Sequence, residues 1–115
     1  VFEAIKYAEK SNVLIVSSAG NSSYNLNEYN NYYPNDNIEN QEEVANNFLL
    51  VGSISNKLDN SFLSYYSNYG NIDVDIFAPG ETIYTTLPSN KYKYDNGTSL
   101  ASAITSGVAA LIFSY

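Results

Sequence analysis

The chain has 115 residues, 44% of them hydrophobic and 15% charged, which suits one globular domain and is too short for two ordinary ones. Its formal net charge of −7 argues against a nucleic-acid partner and against binding to an anionic membrane surface. The absence of cysteine excludes a disulfide framework and a thiolate metal site, and the absence of histidine removes the usual general base for a hydroxyl nucleophile.

The first half of the chain predicts a helix and two buried strands. Apolar residues recur with helical spacing over 1–10, and continuous apolar runs at 13–16 and 48–53 are typical of strands buried on both faces of a parallel sheet. A polar loop rich in Asn and Tyr covers 21–47. Loops of this length are uncommon and often functional, although a biased genome composition explains residues 35–47 equally well.

The second half predicts short strands and a final helix. The predicted segments are a turn region at 54–61, a short strand from Phe62 to Tyr66, a turn at 69–71, a strand at 74–78, a hairpin of 82–87 and 91–94, and a helix from Thr98 to the end. Helices alternating with buried strands in this order indicate an α/β domain with a mostly parallel sheet.

Both ends of the sequence are expected to be cut from a larger domain. Val1 leads directly into the first helical pattern, with no leader-like segment before it, and the apolar pattern of 108–113 continues nearly to the last residue. No apolar run has the length of a membrane span.

A serine near the start of the last helix is the first candidate for chemistry. The segment Asn96-Gly97-Thr98-Ser99-Leu100-Ala101-Ser102 places Ser99 in the first turn, where backbone N–H groups lack helical partners and the helix dipole is positive. Such an environment can stabilise an oxyanion that forms beside the serine oxygen. On the residues alone, this segment supplies either a nucleophile or only a helix cap.

A second candidate segment follows the first predicted strand. Ser17-Ser18-Ala19-Gly20-Asn21 lies at the carboxyl end of that strand, where open α/β sheets bind their ligands. Asn21 offers a side-chain amide donor, and the small residues before it leave room for an extended substrate. A Gly-Asn pair after a strand is otherwise an ordinary turn. Taken together, Ser99 and Asn21 would form a nucleophile and an oxyanion donor.

Four segments together resemble, in order and spacing, the C-terminal half of subtilisin-like serine proteases. They are Ala19-Gly20-Asn21, Phe77-Ala78-Pro79-Gly80, Thr86-Leu87-Pro88-Ser89-Asn90-Lys91-Tyr92 and the Asn96–Ser102 segment. The resemblance implies a three-layer α/β subtilisin-like fold, of which residues 1–115 form the C-terminal part. It implies a serine endopeptidase that is secreted or extracytoplasmic, with its catalytic Asp and His upstream of this chain.

The resemblance implies a catalytic role for three residues. Ser99 would attack the peptide carbonyl and form an acyl-enzyme. The Asn21 side-chain amide and the Ser99 backbone N–H would hold the oxyanion, and Thr98 would support that hole. The family commonly has Pro-His where this chain has Ala103-Ile104, a departure that affects the geometry of the first helical turns.

The resemblance also implies substrate-binding residues. Ser18, Ala19 and Gly20 would line one side of the primary specificity pocket and pair with the substrate backbone. Tyr33-Pro34 matches a Tyr-Pro pair whose peptide bond is cis, and by the same spacing Tyr32 falls at the floor of the pocket, where it would favour small side chains.

The partners expected from the resemblance are a polypeptide substrate and the upstream half of the same domain. It assigns no cofactor, and it leaves structural calcium open for the longer protein without assigning it to any residue here. Asp73 and Asp75, two apart on a predicted strand, are expected to be exposed carboxylates, with a cation site as the alternative.

Two other functions remain open at this stage. One is a subtilisin-like pseudoprotease that serves as a binding scaffold. The other is an unrelated α/β module whose helix N-terminus holds an anion, against which stand the presence of Asn21 and the absence of a glycine-rich phosphate-binding pattern.

Overall fold

The computed structural model describes residues 1–29, 32–37, 43–57 and 62–115. Within these ranges the elements are α1 (Phe2–Lys10), β1 (Ile15–Ser18), β2 (Phe48–Ile54), β3 (Ile76–Pro79), β4 (Ile83–Leu87), β5 (Lys91–Asp95) and α2 (Thr98–Phe113). Strands β1, β2 and β3 form a parallel sheet in that order, and β4 and β5 form an antiparallel hairpin. The predicted α/β class with a parallel sheet is confirmed.

Both faces of the parallel sheet are covered. On one face, Leu50 of β2 belongs to the same apolar cluster as Ile5 of α1. On the other face, Val51 of β2 clusters with Ala101 of α2, the helix that packs across all three parallel strands. Successive strand side chains point to opposite faces, so the unbroken apolar run of β2 supplies both layers.

The first strand begins two residues later than predicted because the helix before it ends in a Schellman turn. Asn12 takes a left-handed φ of 55° and donates its N–H to Glu9, while the Val13 N–H donates to the carbonyl of Ala8. The Val13 N–H therefore satisfies a carbonyl in the last turn of α1, and the strand starts at Ile15.

The strand predicted from Phe62 to Tyr66 is wrong. Only Leu63 pairs with β2, in a single bridge to Ile54, and the chain then turns because the Ser67 N–H donates to the Ser64 carbonyl at 2.9 Å. The third parallel strand starts at Ile76 rather than at residue 74. The predicted turn at 54–61 and loop at 21–47 lie partly outside the described residues.

The later elements follow the prediction closely. The hairpin turns through residues 88–90, where Ser89 and Asn90 both adopt left-handed backbone angles. Helix α2 begins at Thr98 as expected and ends at Phe113. In the ranges that the structure covers, no helix combines the length and the apolar character needed to span a membrane.

Candidate active site

The carboxyl end of β1 meets the first residue of α2. Residues 19–21 continue directly from β1, and Thr98 opens the helix that packs on that strand. The Thr98 N–H donates to Oδ1 of Asn21 at 3.0 Å, and the Thr98 hydroxyl donates to the same oxygen at 2.8 Å. Two segments far apart in the sequence are thereby joined at one point.

The Thr98 hydroxyl makes two hydrogen bonds. It also accepts a hydrogen bond from the Gly20 N–H at 3.1 Å, and Thr98 is only 1% exposed. Because Oδ1 of Asn21 faces Thr98 through two hydrogen bonds, the Nδ2 donors of that amide face the other way. The amide is therefore held in one orientation by protein groups.

Ser99 lies beside the Asn21 amide at the start of α2. A Cβ atom built on Gly97 would lie 3.2 Å from Ser99 Oγ and 3.7 Å from Asn21 Nδ2, so both atoms border the same small space. Ser99 is exposed, as a nucleophile must be to meet a substrate. In the first turn the Thr98 N–H donates to Asn21 Oδ1 and the Leu100 N–H to the Gly97 carbonyl, whereas the Ser99 N–H has no helical carbonyl four residues before it and can bind an anion.

Capping does not account for Ser99. The N-cap residue of α2 is Gly97, which has no side chain to cap the helix, and the Thr98 N–H is bound instead by Oδ1 of Asn21. The first-turn hydroxyl that is engaged belongs to Thr98, and its partner is Asn21 rather than the helix backbone. No hydroxyl of this segment acts as the side-chain cap of α2, and the role of Ser99 as a nucleophile stays a prediction.

The small residues predicted to bind substrate directly precede Asn21 in the chain. Ser18 ends β1, and Ala19 is buried with its N–H donating to the carbonyl of Val51 at 2.8 Å. Gly20 has a φ of +100°, and a Cβ there would come within 2.6 Å of Asn68 Nδ2. Glycine is required at this position both by its backbone angle and by lack of space.

Tyr32 is half-buried against the apolar cluster that contains Ala19. Its hydroxyl donates to Asp73 Oδ1 at 3.2 Å, and burial, together with the nearby Asp73 carboxylate, raises the pKa of Tyr32 well above its usual value. The role of Tyr32 at a pocket floor stays a prediction, whereas the predicted cis bond at Tyr33-Pro34 is confirmed.

The expectation of two exposed, strand-borne aspartates is wrong for Asp73. Asp73 lies outside β3, is 8% exposed and accepts hydrogen bonds from Tyr32 and Asn37. Asp75 also precedes β3; its carboxylate accepts the Leu50 N–H at 2.7 Å, and its own N–H donates to the Leu50 carbonyl at 3.1 Å. Across the described ranges, no group of three acidic, His or Cys residues is arranged to hold a metal ion.

Asn68 is a site neighbour that the sequence pattern does not reveal. It is 5% exposed, and its side chain bonds to the backbone on both sides of Asn21. The sequence around it indicates only a turn. The signal that would identify it is a contact 46 residues away along the chain, which no local pattern carries.

Comparisons with known proteins point to one family. A model of the subtilase family matches residues 1–115. The major intracellular serine protease of Bacillus subtilis is 40% identical over 118 aligned residues, covering 98% of this chain and 32% of that protein. Subtilisin-like protease 2 of Plasmodium falciparum is 40% identical over 114, covering 97% of this chain and 8% of that protein.

Solved structures point the same way. The epidermin leader peptide processing serine protease of Staphylococcus aureus matches with a TM-score of 0.77 at 29% identity, over 96% of this chain and 32% of that one. The chain thus spans about a third or less of each of these relatives.

Proposed function

Because the chain belongs to the subtilase family, we propose that it is the part of a serine endopeptidase that carries the nucleophile and the oxyanion hole. Ser99 is the nucleophile in this proposal, and Asn21 is the side-chain oxyanion donor. The observation that supports it most is the pair of hydrogen bonds that Thr98 donates to Asn21 Oδ1. Because of these bonds, the Nδ2 donors of Asn21 point away from Thr98, and Nδ2 borders the same small space as Ser99 Oγ. The longer protein that contains this chain is called the parent protease below.

The proposed reaction proceeds through an acyl-enzyme. Ser99 Oγ attacks the carbonyl carbon of the substrate while a base removes its proton, and the carbonyl oxygen becomes an oxyanion. Asn21 Nδ2 and the Ser99 N–H donate to that oxyanion. The C–N bond then breaks, the amine leaves with the proton, and water hydrolyses the resulting ester at Ser99.

In the proposal the base comes from outside these 115 residues, since the chain has no histidine. In the proposal, the catalytic His and Asp belong to the upstream half of the same domain. Exposed apolar side chains on the last turns of α2 support such a partner, because a contiguous apolar patch is typical of an interface. Leu111 is 61% exposed, Ile112 70% and Phe113 75%.

The substrate in this proposal is a polypeptide bound in an extended form. Ser18, Ala19 and Gly20 line one side of the primary specificity pocket, and Tyr32 closes its floor and favours small side chains. One relative is named for processing a leader peptide, so a single dedicated precursor is one class of substrate to test. The extracytoplasmic location stays a prediction, since another relative is named as intracellular.

Fluorophosphonate labelling of the parent protease tests the proposal. Wild-type protein should be labelled at Ser99, and Ser99→Ala should abolish the labelling. Ser106→Ala, which removes an exposed hydroxyl two turns further along α2, is the matched control and should label normally. Labelling of Ser99→Ala at another residue would contradict the assignment. Absence of labelling in the wild type would favour a non-catalytic scaffold.

A further inference from the structure

The segment Tyr66-Ser67-Asn68 lies behind both halves of the candidate site. Asn68 is buried and makes four hydrogen bonds to the turn that carries Asn21. Its Nδ2 donates to the Ala19 carbonyl at 2.8 Å, its N–H donates to the Gly20 carbonyl at 2.9 Å, and its Oδ1 accepts the N–H groups of Ser22 and Tyr24, both at 3.0 Å. These bonds hold the backbone on both sides of Asn21.

Tyr66 reaches the other half of the site through a shared carbonyl. Its hydroxyl donates to the Gly80 carbonyl at 2.8 Å, and the same oxygen accepts the Gly97 N–H at 2.9 Å. Gly97 is the N-cap of α2, two residues before Ser99. A Cβ at Gly80 would come within 2.8 Å of the Gly97 carbonyl oxygen and would collide with Ser53, so the close approach requires glycine.

A buried chain of hydroxyls fixes the direction of the Tyr66 hydrogen bond. Tyr66 has one O–H proton, which goes to Gly80, so the Ser53 hydroxyl at 2.9 Å must donate to Tyr66. Ser53 then has no proton left for Ser64, and Ser64 donates to Ser53 at 2.8 Å. Ser53 is 0% exposed and Ser64 1%, so water does not compete for these groups.

Ser67 attaches the segment to the sheet. Its hydroxyl accepts the N–H of Ser53 in β2 at 2.9 Å and donates to the carbonyl of Asn68 at 2.8 Å. Ser67 is 1% exposed. The segment is thus bound to the central strand, from which its neighbours on either side reach the two halves of the site.

We propose that Tyr66 and Asn68 are positioning residues that set the distance between the Asn21 amide and the Ser99 backbone N–H. Neither touches the substrate: Asn68 acts through the Asn21 turn, and Tyr66 acts through Gly80 and Gly97. An oxyanion hole works only when its donors lie within about 2.7–3.1 Å of the developing charge, and misplacement by about 1 Å can cost a factor of about 10². This inference rests on the function proposed above.

Kinetics of the parent protease test the role of Asn68. Asn68→Ala should lower kcat about tenfold per titrated active site, with KM nearly unchanged, because the loss falls on the transition state. It should weaken a peptide boronate inhibitor by a similar factor. Asn46→Ala, at an exposed asparagine, is the control and should change neither value.

A double-mutant cycle separates positioning from general destabilisation. In an Asn21→Ala background, Asn68→Ala should cost less than about twofold in kcat, since the donor that it positions is already gone. An equal cost in both backgrounds would overturn the inference. Tyr66→Phe should lower kcat, and Tyr65→Phe, at an 85% exposed ring, should not. Equal kcat for these two variants would remove Tyr66 from the proposal.

Folding failures and a failure of the proposed function give distinct results. If Asn68→Ala does not fold, Asn68→Asp, which keeps the shape and the acceptor oxygen, replaces it in the cycle. Failure of both to fold would overturn the positioning role, since Asn68 would then be required for the fold itself. If the wild-type protease is not labelled at Ser99, both the proposed function and the positioning role are contradicted. If it is labelled normally but Asn68→Ala costs the same with and without Asn21, only the positioning role is contradicted.

Discussion

The side-chain oxygen of Asn21 accepts both hydrogen bonds that Thr98 donates, from its N–H at 3.0 Å and from its hydroxyl at 2.8 Å. The two bonds together fix the plane of the Asn21 amide. A single bond would allow rotation about the side chain, whereas two donors from one residue at the start of a helix do not. The proposed oxyanion donor is therefore preorganised before any substrate arrives.

We expect Thr98→Val in the parent protease to lower kcat about tenfold, equivalent to about 1.4 kcal/mol, with little change in KM. Valine keeps the shape but removes the hydroxyl that orients Asn21, and it leaves the Gly20 N–H without its acceptor. Steady-state kinetics with a peptide amide substrate measure the effect. Thr98→Ser restores the hydroxyl and should recover most of the rate; failure to recover would show that the methyl group matters instead.

If Asn21 holds the oxyanion as proposed, Asn21→Ala should have a larger effect and lower kcat by about 10²–10³, the magnitude known for removing the oxyanion-hole asparagine of subtilisin. The variant loses the only side-chain donor proposed for the oxyanion, while the Ser99 N–H remains. Peptide binding should change little, so the measurement is kcat and KM with active-site titration. Asn46→Ala controls for the loss of an exposed asparagine side chain. A loss confined to KM would contradict the oxyanion role.

Much of the fold and of the candidate site could be predicted from the sequence, because these features depend on residues that are close together in the chain. The buried strand β2 and the start of α2 follow from an apolar run and from the Gly97-Thr98-Ser99 motif. The similarity of four motifs to subtilisin-like proteases is confirmed by the family match over residues 1–115. The Gly97-Thr98-Ser99 motif also indicated Ser99 as the candidate nucleophile.

The parts that the sequence did not reveal depend on contacts between distant segments. Asn68 bonds to residues 44 to 49 positions away, and nothing in a turn sequence indicates that a buried amide will bridge them. Asp73 was expected to be exposed, and its burial depends on Tyr32 and Asn37 of a loop folding over it. The spacing of apolar residues shows which face of a helix or strand is buried, but it does not show which residues a distant loop will cover.

The stability of the parent protease should depend on pH through Asp36. Asp36 is 7% exposed, and burial, reinforced by the negative charges of Glu43, Asp75 and Asp73, raises its pKa from 3.8 to about 6. Between these values the folded state binds the proton more tightly than the unfolded chain does. The free energy of unfolding therefore falls as pH rises from about 4 to about 6, and stays lower above that window.

Asp36→Asn removes the buried charge and should raise Tm at about pH 7.5 while changing it little at about pH 4. Thermal unfolding followed by circular dichroism at both pH values measures the difference. Glu28→Gln, which removes an exposed charge from the same long loop, should not show this pH pattern. An equal Tm gain at both pH values would mean that packing rather than charge accounts for the effect of Asp36→Asn.

The 115-residue chain on its own should show no peptidase or esterase activity, even where Ser99 and Asn21 have the geometry described above. Serine attack at neutral pH needs a base near its hydroxyl, and the chain contains no histidine to serve as one. A nitrophenyl ester assay should give no burst of product from the purified chain, whereas the parent protease should give one burst equivalent per Ser99. A burst from the isolated chain that is lost in Ser99→Ala would show that another group activates the serine, and the requirement for an upstream histidine would then be wrong.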